Sequence, residues 1–165
     1  MKRALKIPLR CLFALVVMLL LSSEAYSQPN KVPPFQMMQA NGKVFSARNL
    51  PTGKAIVIIY FSPDCKECHD LTKELLNRIN EFSNTSIAMI TNLPLNMVKT
   101  FVSEFNLEKY PNIYAGTEGY ASFTGAYYNV GTIPFIAVHN KNGDLVKTYS
   151  GEVRIEDLLL QIKGL

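Results

Sequence analysis

The sequence predicts an α/β fold: a central mixed β-sheet flanked by helices on both sides, with a β-hairpin added at its N-terminal end. Three observations predict it. Residues 55–61 form an unbroken apolar run rich in β-branched side chains, as expected of a strand buried on both faces. Strand-like and helix-like stretches then alternate along the chain, in the order β-α-β-α-β-β-β-α after the hairpin. Asn41-Gly42 stands between two short apolar stretches, and Gly143 sits in a polar loop between two more. Both are places where a hairpin turn needs a residue that tolerates positive φ.

The N-terminus reads as an export signal. Lys2, Arg3, Lys6 and Arg10 precede an apolar run of 11 residues (11–21), which is followed by Ser22-Ser23-Glu24. Small residues at Ala25 and Ser27 suit cleavage before Gln28, so residues 1–27 are expected to be a signal peptide. Eleven apolar residues are too few to cross a hydrocarbon layer, which takes about 20, although an uncleaved segment would leave a membrane anchor. Cleavage would also remove Cys11, leaving Cys65 and Cys68 alone in an oxidising compartment. Residues 28–34 are polar and proline-rich and read as a flexible lead. Residues 35–165 show no repeat and no internal linker, so they form one domain.

Within that domain the hairpin occupies residues 35–50 and the first core strand 55–61. Leu71, Leu75, Leu76, Ile79 and Phe82 follow at helical spacing, then a strand at 86–91. Pro94 suits a helix's first turn, and Val98, Phe101, Val102 and Phe105 give that helix an apolar face. A short strand is expected at 112–115, inside a stretch (108–131) with five tyrosines and four glycines. That stretch reads as aromatic packing under a long connection, with a partner groove as its second reading. Strands at 135–139 and 145–149 flank the loop 140–144. The last helix carries Ile155, Leu158, Leu159 and Ile162 on one face, Glu156 and Asp157 in its first turn and Lys163 in its last.

Composition narrows the function. Hydrophobic residues make up 48% and charged ones 18%, which supplies a core and excludes disorder as the main state. The chain has 17 Lys and Arg against 13 Asp and Glu, but without residues 1–27 the counts are 13 and 12. The basic excess therefore belongs to the signal, and nucleic-acid binding has no electrostatic support.

The chemistry lies in Cys65-Lys66-Glu67-Cys68, where the buried strand turns into a helix. Free N–H groups and the helix dipole at that end favour a thiolate on Cys65. The spacing puts Cys68 one turn along, able to attack a mixed disulfide formed by Cys65, as thiol–disulfide exchange requires. Cys65 is thus the expected nucleophile and Cys68 the resolving thiol of a redox-active disulfide. A structural staple would gain little, since so small a loop yields only about 2 kcal/mol against about 3 kcal/mol for 15 residues.

These features together resemble the thioredoxin superfamily. The residues that carry the resemblance are the apolar strand, Phe61-Ser62-Pro63-Asp64-Cys65 with Cys68 behind it, and Gly131-Thr132-Ile133-Pro134 before a strand. The hairpin with Asn41-Gly42-Lys43 and the run from Tyr128 to Phe135 are similar to the exported, TlpA-like and redoxin-type branch. The resemblance spans roughly residues 33–163 and implies a thioredoxin fold. It also implies a cis peptide at Pro134, placed beside the cysteines, with the Ile133 backbone and Pro134 binding substrate. The implied activity is protein-disulfide exchange without a cofactor. The implied partners are extracytoplasmic cysteine-containing proteins and a membrane redox partner that recycles the dithiol, in a periplasmic or extracellular location.

Several residues depart from that pattern. Asp64 stands where the family often has Trp, and Ile59 stands six residues before Cys65, where thioredoxins bury an acid. The proton acceptor for Cys68 is therefore open among Glu67, Asp70 and water. Lys66 and Glu67 carry opposing charges that nearly offset beside Cys65, so the direction of electron flow stays open. The cysteine spacing does not match the peroxide-reducing signature. Two rival readings use His69. Cys65-X-X-Cys68-His69 matches the attachment pattern of c-type haem, although its α/β context does not suit a cytochrome. The same three residues would serve a copper or zinc carrier but fall short of a closed tetrahedral site. His139 reads as a core or turn residue.

Overall fold

The computed structural model describes residues 30–165. The expected signal peptide and its cleavage point before Gln28 lie outside the described residues. The strands are β1 (Gln36–Gln39), β2 (Val44–Ser46), β3 (Ala55–Tyr60), β4 (Thr85–Thr91), β5 (Ile113–Thr117), β6 (Phe135–His139) and β7 (Leu145–Ser150). The α-helices are α1 (Lys66–Asn77), α2 (Leu95–Glu104), α3 (Phe123–Tyr127) and α4 (Ile155–Lys163). All seven strands join one mixed sheet in the order β2-β1-β5-β4-β3-β6-β7. The expected α/β fold with an N-terminal hairpin is what the chain forms.

β3 is central, parallel to β4 and antiparallel to β6, with all six residues buried. Its alternate side chains divide between two cores. Val57, Ile59 and Phe61 pack with apolar residues of α1, α2 and α4, whereas Ile56, Ile58 and Tyr60 pack with Phe35, Met37 and Phe45. All three long helices therefore lie on one face. The sequence leads one to expect helices on both faces, and the short α3 does take the other one; the grouping of the long helices has a topological reason. β3→β4 and β4→β5 are parallel crossovers that step across the sheet in the same direction, and right-handed crossovers of that kind put both helices on the same side. The opposite face is covered by the hairpin, by Tyr128 and Val130, and by the short α3.

Local detail follows residue chemistry. The turn after β1 uses Gly42 at φ +79°, and the one after β6 uses Gly143 at φ +78°. Gly116 lets β1 approach β5, since a Cβ there would stand 2.8 Å from the Met38 carbonyl oxygen. α1 ends at Asn77 and the chain continues as a 3-10 turn (Ile79–Phe82), not as the same helix. Ile79 and Phe82 still reach the core, and Arg78 at the break pairs with Glu81 and, at 3.1 Å, with Glu156. From Asn30 onward the expected flexible lead is tied down. The Val32 N–H donates to the Gly143 carbonyl at 3.0 Å, the Leu145 N–H donates to the Asn30 carbonyl at 2.8 Å, and Lys31 pairs with Asp144 at 2.5 Å. Among the described residues no helix is long and apolar enough to cross a membrane.

Candidate active site

Strand β3 delivers the chain to the top of the sheet, and residues 61–65 turn it into α1. The turn is closed by the Cys65 N–H donating to the Ser62 carbonyl at 3.1 Å and by a Ser62–Asp64 side-chain hydrogen bond. Cys65 is the N-cap of α1, with extended backbone (φ −85°, ψ 122°). A cap's side chain normally accepts from the free N–H groups of the first turn. Here the acceptor is sulfur, and the Cys68 N–H donates to Cys65 Sγ at 3.3 Å.

Both thiols are free. Cys65 is half-buried, while Cys68 is only 1% exposed, so a reaction partner meets Cys65 first. Burial, reinforced by a hydrogen bond with Cys65, pushes the Cys68 thiol up to about 12. At neutral pH Cys68 keeps its proton in the resting dithiol.

Of the expected proton acceptors, neither carboxylate hydrogen-bonds Cys68. Glu67 is engaged by the other thiol, with Cys65 Sγ donating to Oε2 at 3.4 Å. Asp70 is held by Lys66 at 2.5 Å and by Lys73 at 3.7 Å, and these cations keep its carboxyl below the usual range. Pro134 is buried and its bond to Ile133 is cis. The hydroxyl of Tyr60, the last residue of β3, lies 2.9 Å from Ser122 Oγ, which brings the segment before α3 against the end of the strand.

Many solved structures share this architecture, three among them as follows. One is a secreted Mycobacterium tuberculosis disulfide oxidoreductase homologous to E. coli DsbE, with 19% identity over 80% of this chain and 96% of its own, at TM-score 0.67. A putative thioredoxin from Neisseria meningitidis has 21% identity over 82% of this chain and 90% of its own, also at TM-score 0.67. Arabidopsis thaliana ScoI with copper bound has 16% identity over 81% of this chain and 98% of its own, at TM-score 0.63. The chain has the thioredoxin fold. No family model matches the sequence, and no curated protein matches it either.

Within this fold the rival uses of His69 meet geometric obstacles. Its Nε2 lies 2.7 Å from the Pro63 carbonyl, its Nδ1 lies 3.3 Å from Glu104, and its ring stands edge-on to Phe101 and Phe105 at 5.2 Å. An axial ligand or metal ligand needs a free ring nitrogen: the Pro63 carbonyl takes Nε2, and Nδ1 faces the Glu104 carboxylate across the Phe101 and Phe105 rings. Haem attachment would also need Cys68 to be accessible. Among the described residues no three His, Cys, Asp or Glu side chains form a metal-sized cluster.

Sequence reasoning missed the contact between Glu67 and the Cys65 thiol, the contacts of His69, and the place at the end of β3 of residues 118–130, whose stretch it offered as a partner groove only as a second reading. Gly125 carried a trace of the last, because a Cβ there would stand 3.0 Å from the Tyr60 ring. The other two depend on rotamers that no spacing rule reveals.

Proposed function

We propose that this chain is an exported thiol–disulfide oxidoreductase in which Cys65 attacks and Cys68 resolves. The observation that supports it best is the pairing of a half-exposed sulfur at a helix N-cap, with a backbone N–H aimed at it from 3.3 Å, and a buried thiol one turn behind. In the reducing direction the Cys65 thiolate attacks a disulfide of the partner protein. That S–S bond breaks, the partner's second sulfur leaves as thiolate and takes up a proton, and a Cys65–partner disulfide forms. Cys68 then loses its proton and attacks the Cys65 sulfur. The products are the Cys65–Cys68 disulfide and the partner's dithiol, with two electrons transferred. The oxidising direction is the same sequence reversed. The Ile133 backbone and Pro134 dock the partner chain beside Cys65.

No cofactor is required, because the dithiol carries both electrons. Residues 1–27 direct export and are removed before Gln28. A membrane-embedded redox partner recharges the pair, since cytoplasmic reductants do not reach that space. The reading is tested by exporting the Cys68→Ser protein and isolating its mixed disulfides under non-reducing conditions. Reductant-sensitive adducts between Cys65 and cysteine-containing exported proteins are expected. Their absence, or identical adducts in a Cys65→Ser/Cys68→Ser double variant, would overturn it.

A further inference from the structure

Two hollows of different lining border the chain on either side of Cys65, one reached by Ser62 and the other by Lys66. One is a groove of about 580 Å³ whose lining includes Phe61, Leu93, Ala126, Val130 and Ile133 and contains no charged residue. The other, about 300 Å³, is lined by Lys66, Glu67, Asp70, Glu74, Glu152 and Arg154. The chain itself shows that they flank one point. Ser62 borders the groove while Lys66 borders the cleft, and Ile133 borders the groove while Pro134 borders the cleft. A polypeptide laid across Cys65 therefore leaves one hollow and enters the other.

Each hollow has its own chemistry. In the cleft both cations are spent, Lys66 on Asp70 at 2.5 Å and Arg154 on Asp157 at 2.8 Å. Glu74 and Glu152 make no ion pair among the described residues, so the cleft presents unpaired negative charge. Ala121 and Ser122 line the groove, and their chain neighbours Tyr120 and Phe123 are fully exposed and 42% exposed. Between them Ser122 holds a left-handed φ of +40°, rare for a residue with a Cβ, with its hydroxyl against Tyr60. Exposed aromatic rings beside an uncharged groove suit apolar side chains.

We infer that the protein partner presents apolar side chains on one side of its reacting cysteine and Lys or Arg on the other. This rests on the oxidoreductase reading, whose substrate class it narrows. Charge complementarity across the cleft would speed encounter and discriminate against acidic flanks.

The test uses reduced mature protein and four short peptides: apolar-Cys-basic, basic-Cys-apolar, and the two counterparts with Glu in place of the basic residues. Each peptide cysteine is a mixed disulfide with 5-thio-2-nitrobenzoate. The Cys65 thiolate attacks the peptide sulfur and thionitrobenzoate leaves, a release read by absorbance. Cys68 then frees the peptide thiol. Every rate is divided by that of the same protein with the 2-mercaptoethanol–thionitrobenzoate disulfide. The faster basic peptide should exceed its acidic counterpart by about tenfold at low salt and by less than about threefold at 1 M salt, as for exposed charges. In Glu74→Lys/Glu152→Lys protein the preference should reverse. Four normalised rates within twofold of one another would overturn the inference. No reaction with any probe, the mercaptoethanol disulfide included, would instead overturn the oxidoreductase reading.

Discussion

Cys68 and His139 stand toward opposite ends of the same strand, and both are buried titratable groups. Cys68 follows the C-terminal end of β3 and is 1% exposed, whereas His139 pairs with Ile56 at its start and is 0% exposed. Burial shifts both toward their neutral forms, the thiol upward and the imidazole down to about 4. What separates them is hydrogen bonding. The Gly143 carbonyl can only accept, so His139 Nδ1 carries the proton and donates to it at 3.3 Å. Nε2 then accepts from the Tyr128 hydroxyl at 2.7 Å. The neutral ring is satisfied on both sides and closed off. Cys68 lies beside a half-exposed sulfur and hydrogen-bonds neither nearby carboxylate. Burial alone therefore does not mark a reactive group. A buried group becomes reactive when its neighbour is itself exchangeable.

The comparison makes predictions of decreasing size. Only the thiolate attacks, so the lifetime of a Cys65–partner disulfide should depend on the ionisation of Cys68. Stopped-flow resolution rates should rise about tenfold per pH unit between pH 6 and 9. A flat profile would mean that Cys68 is already ionised and that burial does not hold its proton.

At the other end the effect is on stability. The folded-state value of His139, about 4, lies below the unfolded value of 6.5, so the unfolded chain binds the proton more readily in that window. Stability should therefore fall as pH drops from 6.5 to 4, by roughly 3 kcal/mol in all, in urea titrations. A His139→Leu protein should lack most of that slope, and an unchanged slope would place the titration elsewhere. Smallest is Tyr128→Phe, which removes one hydrogen bond to His139 and keeps the ring. It should cost about 1 kcal/mol and leave the mixed-disulfide lifetime unaltered. A changed lifetime would show that the two ends communicate.

Much of this architecture was legible in the residues. The strands at 55–61, 86–91 and 135–139 declare themselves through apolar, β-branched runs, and the cysteine pair through its spacing at a strand-to-helix junction. The break at Arg78 was not legible, because Ile79 and Phe82 keep helical spacing while the backbone tightens into a 3-10 turn. Nor was the placement of three helices on one face, which depends on the order of strands. α3 is only five residues long, too short for an apolar period, so the sequence offered a groove in residues 108–131 only as a second reading and did not place its wall. The charge of Glu67 opposing the Cys65 thiolate was legible, but its place as hydrogen-bond acceptor for the Cys65 thiol was not.

The most direct test of redox exchange is a thiol-buffer titration of the mature chain, made in an exporting host and followed by alkylation and mass analysis. The account predicts a single two-electron transition in which Cys65 and Cys68 gain and lose alkylation together. A midpoint near −270 mV would mark a reductant and one near −120 mV an oxidant, on the approximate scale set by known dithiols. Cysteines that stay independently alkylatable under oxidising buffers, or that resist alkylation after full reduction and carry the added mass of haem, would contradict it.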